Sequence, residues 1–549
     1  MAYFDLGRFT RPVTTSVPEA QLWFDRGLVW CYGYNHEEAV VCFKRALQAD
    51  PDCAMAQWGI AYAIGPNYNM QWHHFDPAGK AQALVTAYDA TAAARALRDR
   101  VTAPERALID ALPARYPQRQ TIEDQTPWNR DFARAMRAAY AAHPQDLEVA
   151  AICAEAIMNV TPWAMWDLAT GAPAEGAGTE EARAVLETAL AHDPAANAHP
   201  GILHLYVHLM EMSPFPELAL QASDRLRDLV PDAGHLIHMP THIDVQCGAY
   251  RDTLATNLRA VEADKKYRDH AGDMNFYTGY RVHNYHFAIY GAMFLGQFAP
   301  ALAAAKALIE TLPEALLRTQ SPPMADFLES YTSSELHVLI RFGKWREIID
   351  LDLPEDRDLY CYRVATAEYA KGVAHAALGE LARAEDAQAR FLTARDRVPE
   401  TRLLHNNPCR SLLEVATAML AGEIAYRKGA YDDAFGHLRR AVALDDGLLY
   451  DEPWGWMQPT RHALGALLLE QGHIEEAEQV YREDLGLIGQ LPRAMIHPDN
   501  LWSLKGLYDC LTRRGAHAEA RLIRLRLDIA AARADVDVAV SCFCARAAE

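Results

Sequence analysis

Membrane-length apolar runs, clustered basic residues and strand-like alternation are all scarce in this 549-residue chain. No stretch of about 18 apolar residues is free of charge, which excludes a membrane-spanning helix. Lys and Arg form no run, and 53 basic against 73 acidic side chains leave a net charge of −20. A surface that neutralises phosphates needs clustered cations, so nucleic acid is not an expected partner. Alternations of Val, Ile and Thr are few, which argues against sheets. The N-terminus, MAYFDLGRFTRP, lacks the basic and apolar stretches of a signal peptide, so a cytoplasmic protein is expected.

Half the residues are hydrophobic, 9% are aromatic and 23% charged, enough apolar surface for a large core and unlike a disordered chain. Of the 10 cysteines, Cys31, Cys42, Cys53, Cys153, Cys247, Cys361, Cys409 and Cys510 sit singly in helical patterns as small buried thiols. The exception is Cys542-Phe543-Cys544.

Ala, Leu, Glu and Arg dominate windows whose apolar residues recur at i, i+3, i+4 and i+7, so the chain reads as helical throughout. Gly, Pro or Asp interrupts it every dozen or so residues, a punctuation that calls for internal repeats. With Ala20 at repeat position 1, Trp23 falls at 4, Gly27 at 8, Trp30 at 11, Ala39 at 20, Phe43 at 24, Ala46 at 27 and Pro51 at 32. The pattern resembles a tetratricopeptide repeat: small residues stand where two antiparallel helices approach, and large ones fill the space between. Gly422, Gly429, Ala434, Leu438 and Ala441 make another unit, and Gly465, Gly472, Ala477 and Tyr481 a third. A loop rich in Gly, Ala and Pro, Thr170 to Thr179, interrupts the stacking. The expected fold is all-α: a right-handed α-solenoid of about eight to ten helix pairs with a concave groove. It would run as one body over 1–549: N-terminal repeats to 110, irregular repeats over 110–198, a histidine-rich stretch over 199–313, C-terminal repeats over 314–535 and a cysteine-containing tail at 536–549.

Nine of the 22 histidines fall between His199 and His286, where even spacing would put about three or four. Three repeats can be phased there, beginning at Pro200, Gly234 and Val282. Position 5 is then His204, His238 and His286; position 2 is Gly201, His235 and His283; position 9 is His208, His242 and Tyr290; position 12 of the first is Glu211. These positions share one helical face, and a repeat core has no use for imidazole there. Neutral imidazole is the commonest metal ligand, and Glu211 could ligate, orient a histidine or act as a general base. Seven imidazoles exceed the needs of one tetrahedral zinc, which favours two ions or spare histidines behind the ligands.

Cys542 and Cys544 are too closely spaced for a strain-free disulfide and suit a soft metal, so the tail is a candidate to complete the site. Glu155, followed by Trp163, Trp166 and Asp167, is a candidate acid or base beside an aromatic wall. His462 reads as a hydrogen-bonded wall residue, and His73, His74 and His405 as surface residues.

The segments from Tyr34 to Ala39, Asp50 to Met55, His199 to Glu211, Gly234 to His242, His283 to His286, Tyr481 to Leu485 and the Ser-Cys-Phe-Cys tail resemble a bacterial family of tetratricopeptide repeat proteins distantly similar to the animal tetratricopeptide repeat protein 38. The resemblance implies the solenoid and no particular reaction.

The expected function is that of a metalloenzyme with a histidine-rich centre, copper or zinc first and iron next. Oxygen-dependent oxidation of a small molecule or peptide is favoured over zinc-type hydrolysis. The rival from another class is a scaffold that binds a peptide or protein partner through the repeat surface.

Overall fold

The computed structural model describes residues 3–489 and 491–545. Helices account for nearly all regular structure, and the only paired strands among the described residues are the short Leu403–Leu404 and Asn407–Pro408. None of the described helices is long and apolar enough to cross a membrane. The all-α solenoid of tetratricopeptide-like helix pairs read from the sequence is the observed architecture.

Local chemistry sets the helix ends. The side chains of Asn35, Asp146 and Asn500 accept hydrogen bonds from backbone N–H groups of the first turns that follow them, which satisfies donors with no partner inside the helix. Proline at the first turn of Pro18–Tyr32, Pro77–Ala96 and Pro200–Met210 has no N–H to lose.

The chain forms two compact units. The first comprises Met1–Ile243 and Arg259–Arg281, the second Asp244–Leu258 and Val282–Glu549. Their boundaries fall inside the histidine-rich stretch that the sequence presents as continuous.

In the first unit Pro18–Tyr32 packs on His36–Ala49, Ala54–Ala63 on Pro77–Ala96, Ala103–Arg115 on Thr126–Ala142, and Leu147–Met158 on Thr179–His192. Phe43 lies between Gly27 and Gly59, where an added Cβ would come within 2.6 Å of its ring from either side. In the second unit Cys361–Ala377 pairs with Leu381–Arg395, Cys409–Arg427 with Tyr431–Asp446, Thr460–Glu470 with Ile474–Asp484, and Leu501–Arg513 with His517–Ala531. Tyr481 repeats the role of Phe43: a Cβ on Gly465 or Gly506 would overlap its ring. Gly472 ends a helix at φ 84, a left-handed conformation that costs glycine no steric penalty.

This packing predicts opposite outcomes for two glycines of the second unit. Gly506→Ala should lower the unfolding free energy by about 1–3 kcal/mol through overpacking against Tyr481. Gly436→Ala, on an exposed helix face with open space around it, should leave stability unchanged or raise it by up to about 1 kcal/mol through helix propensity. Urea unfolding followed by circular dichroism measures both.

Candidate metal centre

The first unit brings five of the predicted histidines together with Glu211, all fully or almost fully buried. Helix Pro200–Met210 carries His204 and His208, one turn apart. Its start is fixed by Pro200 and by His199, whose Nδ1 accepts from Ile202 N at 3.2 Å while Nε2 meets Glu148 at 2.8 Å. Gly201 allows close approach, since a Cβ there would run into the Tyr32 ring. That proximity puts the Tyr32 carbonyl 2.6 Å from His204 Nδ1. The nitrogen donates to it, which makes Nε2 the lone-pair nitrogen, and Nε2 is buried with no hydrogen-bond partner.

His235 and His238 lie on the short helix Gly234–His238, and His242 on Pro240–Gln246 just beyond it. Neither ring nitrogen of His235 has a hydrogen-bond partner. One nitrogen each from His204, His208 and His235 lies within 4.8 Å of the other two. Nitrogens bound at 2.0–2.1 Å to one ion stand at most about 4.2 Å apart, so small side-chain adjustments would let the three share an ion. Buried polar atoms are rarely left without partners; two of these three rings hold such atoms, and the set fits a transition metal.

Glu211 has no exposed surface and sits between two imidazoles: His208 Nδ1 at 3.0 Å from Oε1 and His242 Nδ1 at 2.8 Å from Oε2. The His208 N–H donates to the carboxylate, while the His242 ring approaches it at ion-pair distance. His242 Nε2 and His238 Nε2 share a hydrogen bond at 2.7 Å. Glu211 therefore orients histidines through their far nitrogens, an arrangement that fixes tautomer and raises ligand basicity.

Aromatic rings enclose the cluster. The Tyr34 ring lies 4.6 Å from His204, 5.8 Å from His208 and 5.3 Å from His235. Tyr68 packs 5.0 Å from His208, Tyr280 4.5 Å from His235, and Trp163 edge-on 5.8 Å from His208. Trp166 donates its indole N–H to the Leu209 carbonyl at 2.6 Å, tying the loop to the histidine helix. Tyr34 holds φ 53, a conformation that a bulky residue rarely adopts.

Burial holds the His204 and His235 imidazoles well below the usual histidine value, reinforced by neighbouring histidines. They are neutral at pH 7, the state that binds metal. Glu155, on helix Leu147–Met158, is pushed up to about 8 by burial against a small opposing effect of a hydrogen bond from Asn159. Burial first, and then the charge of Glu155, keeps the Tyr34 phenol far above its ordinary range.

The other predicted ligands belong to the second unit. His286 Nε2 meets Met457 Sδ at 2.8 Å and packs edge-on to Tyr331, and burial with nearby His337 and His405 pushes it down to about 3. His283 stacks on His405 at 5.5 Å. His405, expected at the surface, is instead half-buried, with Nδ1 donating to the buried Asp451 at 2.6 Å. His73 is exposed as expected, and His462 is the expected wall residue, bonded to Asp484 at 3.0 Å. The reading of Cys542 and Cys544 as metal ligands is corrected: they form a disulfide with each other, so neither sulfur is a thiolate. Both cysteines lie within the second unit.

Sequence reasoning missed the ring of phenols. Tyr34 nonetheless opens the first segment on which the family resemblance rests, and its left-handed turn is the signal that pattern reading passes over.

No family model matches the chain, and no curated protein matches its sequence. Solved structures similar to it include a monomeric mutant of IFIT1 with Gppp-AAAA, at 12% identity and a TM-score of 0.32, covering 94% of this chain and 91% of that one. The human IFIT1 dimer with m7Gppp-AAAA gives 12%, 0.31, 94% and 92% in the same order. Naa15/Naa10 bound to HypK-THB gives 14%, 0.21, 93% and 70%. At such scores the fold stands on the chain's own helix pairs.

The Glu155 environment generates a pH prediction. Its folded-state value of about 8 lies above the ordinary 4.5, so the folded chain binds the extra proton and loses stability as pH rises across that interval. Glu155→Gln should therefore match the parent near pH 4 and exceed it increasingly up to about pH 8, with a constant margin above. Equal stability of the two proteins at pH 9, read by urea unfolding, would contradict the assignment.

Proposed function

We propose that the chain is a metal-dependent enzyme whose transition metal is held by His204, His208 and His235, with His238, His242 and Glu211 as the orienting and reserve groups behind them. The observation that carries this reading is the convergence of buried imidazole nitrogens, those of His204 and His235 lacking any hydrogen-bond partner. When bound, the metal would supply a Lewis-acidic or redox centre with coordination positions to spare.

Imidazole suits zinc, copper and iron alike, and with the tail cysteines disulfide-bonded no soft ligand narrows the choice. We favour oxygen-dependent oxidation of a small molecule or peptide because oxidisable phenol and indole rings pack directly on the imidazoles. Hydrolysis by zinc is the second reading, favoured by Glu155, a buried carboxyl able to give and take a proton near neutral pH. Kinship with the bacterial tetratricopeptide family, a cytoplasmic location and a substrate other than nucleic acid belong to the same proposal.

Elemental analysis of untagged protein tests it. Close to one equivalent or more of copper, iron or zinc should be retained, or taken up with a rise in Tm. His204→Ala and His235→Ala should each lose most of that metal and His73→Ala none. Retention of metal by all three variants, or its absence with no thermal response to added ions, sinks the enzyme reading. Oxygen uptake by the copper or iron form then separates oxidation from hydrolysis.

A further inference from the structure

The tail pair Cys542/Cys544 lies outside the metal proposal and has a built setting of its own in the second unit. Residues Ser541 to Ala545 are seated by side chains from separate helix pairs. Arg341 donates to the Ser541 carbonyl at 3.0 Å, Arg427 donates to the Cys544 carbonyl, and the Ser541 hydroxyl bonds with Tyr481. Phe543 fills the space above Gly343, where a Cβ would come within 2.9 Å of it, and packs edge-on to Trp502. Farther back, Asp535 accepts from the N–H groups of Phe298 and Ala299 at 2.6 and 2.9 Å, capping helix Phe298–Glu310.

These contacts hold the tail without help from the cross-link. A disulfide stabilises a fold roughly with the logarithm of the loop it closes, and this one spans a sequence separation of 2. Its two sulfurs also differ in access: Cys544 is buried in an apolar cluster at 4% exposure, while Cys542 is partly exposed at the edge of that cluster. The Cys544 backbone N–H donates to Cys542 Sγ at 3.3 Å. Arg341, bonded to the residue just before it, lies over the Trp502 ring at 3.6 Å, its charge partly offset by Asp484. Positive charge and N–H donors are what lower a thiol's proton affinity.

We propose that Cys542 and Cys544 form a thiol–disulfide exchange site, with Cys542 the sulfur that external thiols attack. In the reductive direction a thiolate of a small thiol such as glutathione attacks Cys542 Sγ. The S–S bond breaks, and its electron pair leaves on Cys544 Sγ, which takes up a proton. A second thiol then attacks the external sulfur of the mixed disulfide and releases the Cys542 thiolate, which is protonated in turn. Two external thiols are thereby oxidised to their disulfide and the protein pair is reduced to two thiols; oxidation by the glutathione disulfide is the reverse. The remaining eight cysteines lack this setting, seven being buried and Cys247 partly so.

The test uses the full chain in buffers of graded reduced and oxidised glutathione, with thiols blocked by maleimide and counted by peptide mass. The tail pair should pass reversibly between disulfide and dithiol while the other eight cysteines stay constant. With oxidised glutathione, Cys544→Ser should acquire an adduct on Cys542, at least tenfold faster than Cys542→Ser acquires one on Cys544. In the Cys544→Ser background, Arg341→Gln should slow that adduct several-fold and the remote surface change Arg526→Gln should not. A pair that stays in one state at every ratio, or equal adduct rates at the two sulfurs, overturns the proposal. An unchanged rate in folded Arg341→Gln removes the role given to that guanidinium. Should that variant fail to fold, the two cysteine variants decide the matter.

Discussion

The carboxylate of Glu211 is the tie on which the candidate site depends. A carboxylate with no exposed surface costs several kcal/mol to bury unless it is paired and hydrogen-bonded. Here two imidazoles from different helices answer that demand, His208 by a hydrogen bond and His242 at ion-pair distance. The last turn of Pro200–Met210 is thereby locked to Pro240–Gln246, and His208 and His242 turn their remaining nitrogens outward from the carboxylate. His242 passes the constraint on to His238. On the other side, the Tyr32 carbonyl does for His204 what Glu211 does for His208, and it reaches His204 because residue 201 has no side chain.

These orienting contacts explain why the rings point where they do, but not why so many nitrogens are left with little to bond. An unmet buried hydrogen-bonding group costs about 1–3 kcal/mol, and a whole domain is stable by only about 5–15 kcal/mol. His204 and His235 together thus set a noticeable share of the first unit's stability against the site. Ring packing of Tyr34 on His204 and of Tyr280 on His235 returns part of that, and it also keeps water from the nitrogens.

The helix pairs were legible because packing dictates them: Gly27 opposite Phe43 and Gly465 opposite Tyr481 are close approaches that leave a spacing in the sequence. The histidine register was legible for the same reason within the first unit, where positions 2, 5 and 9 of one frame meet in space. Other features leave no periodic trace. The unit boundary between Arg281 and Val282 interrupts no helix, so the third histidine helix reads as continuous with the others. Tyr34 reaches the imidazoles through a left-handed turn that no propensity rule assigns to tyrosine. His405 looks like a loop residue because its partner, Asp451, lies far along the chain. The C-x-C spacing was judged by the chain's local freedom, whereas Arg341, Arg427 and Phe543 impose the tail's path from outside.

Burial also bears on what the histidine cluster itself can meet. A peptide-binding surface presents its polar groups to a ligand that arrives from water, so its histidines must be solvent-accessible and keep their hydration until the ligand comes. His204, His208, His235, His238 and His242 are each at most 1% exposed, packed among the Tyr34, Tyr68 and Tyr280 rings. A single ion needs no such surface. It is small enough to sit among imidazoles already dehydrated, and burial has kept those of His204 and His235 unprotonated. The dehydration that withholds these imidazoles from a surface ligand is also the condition under which neutral nitrogens can take a metal.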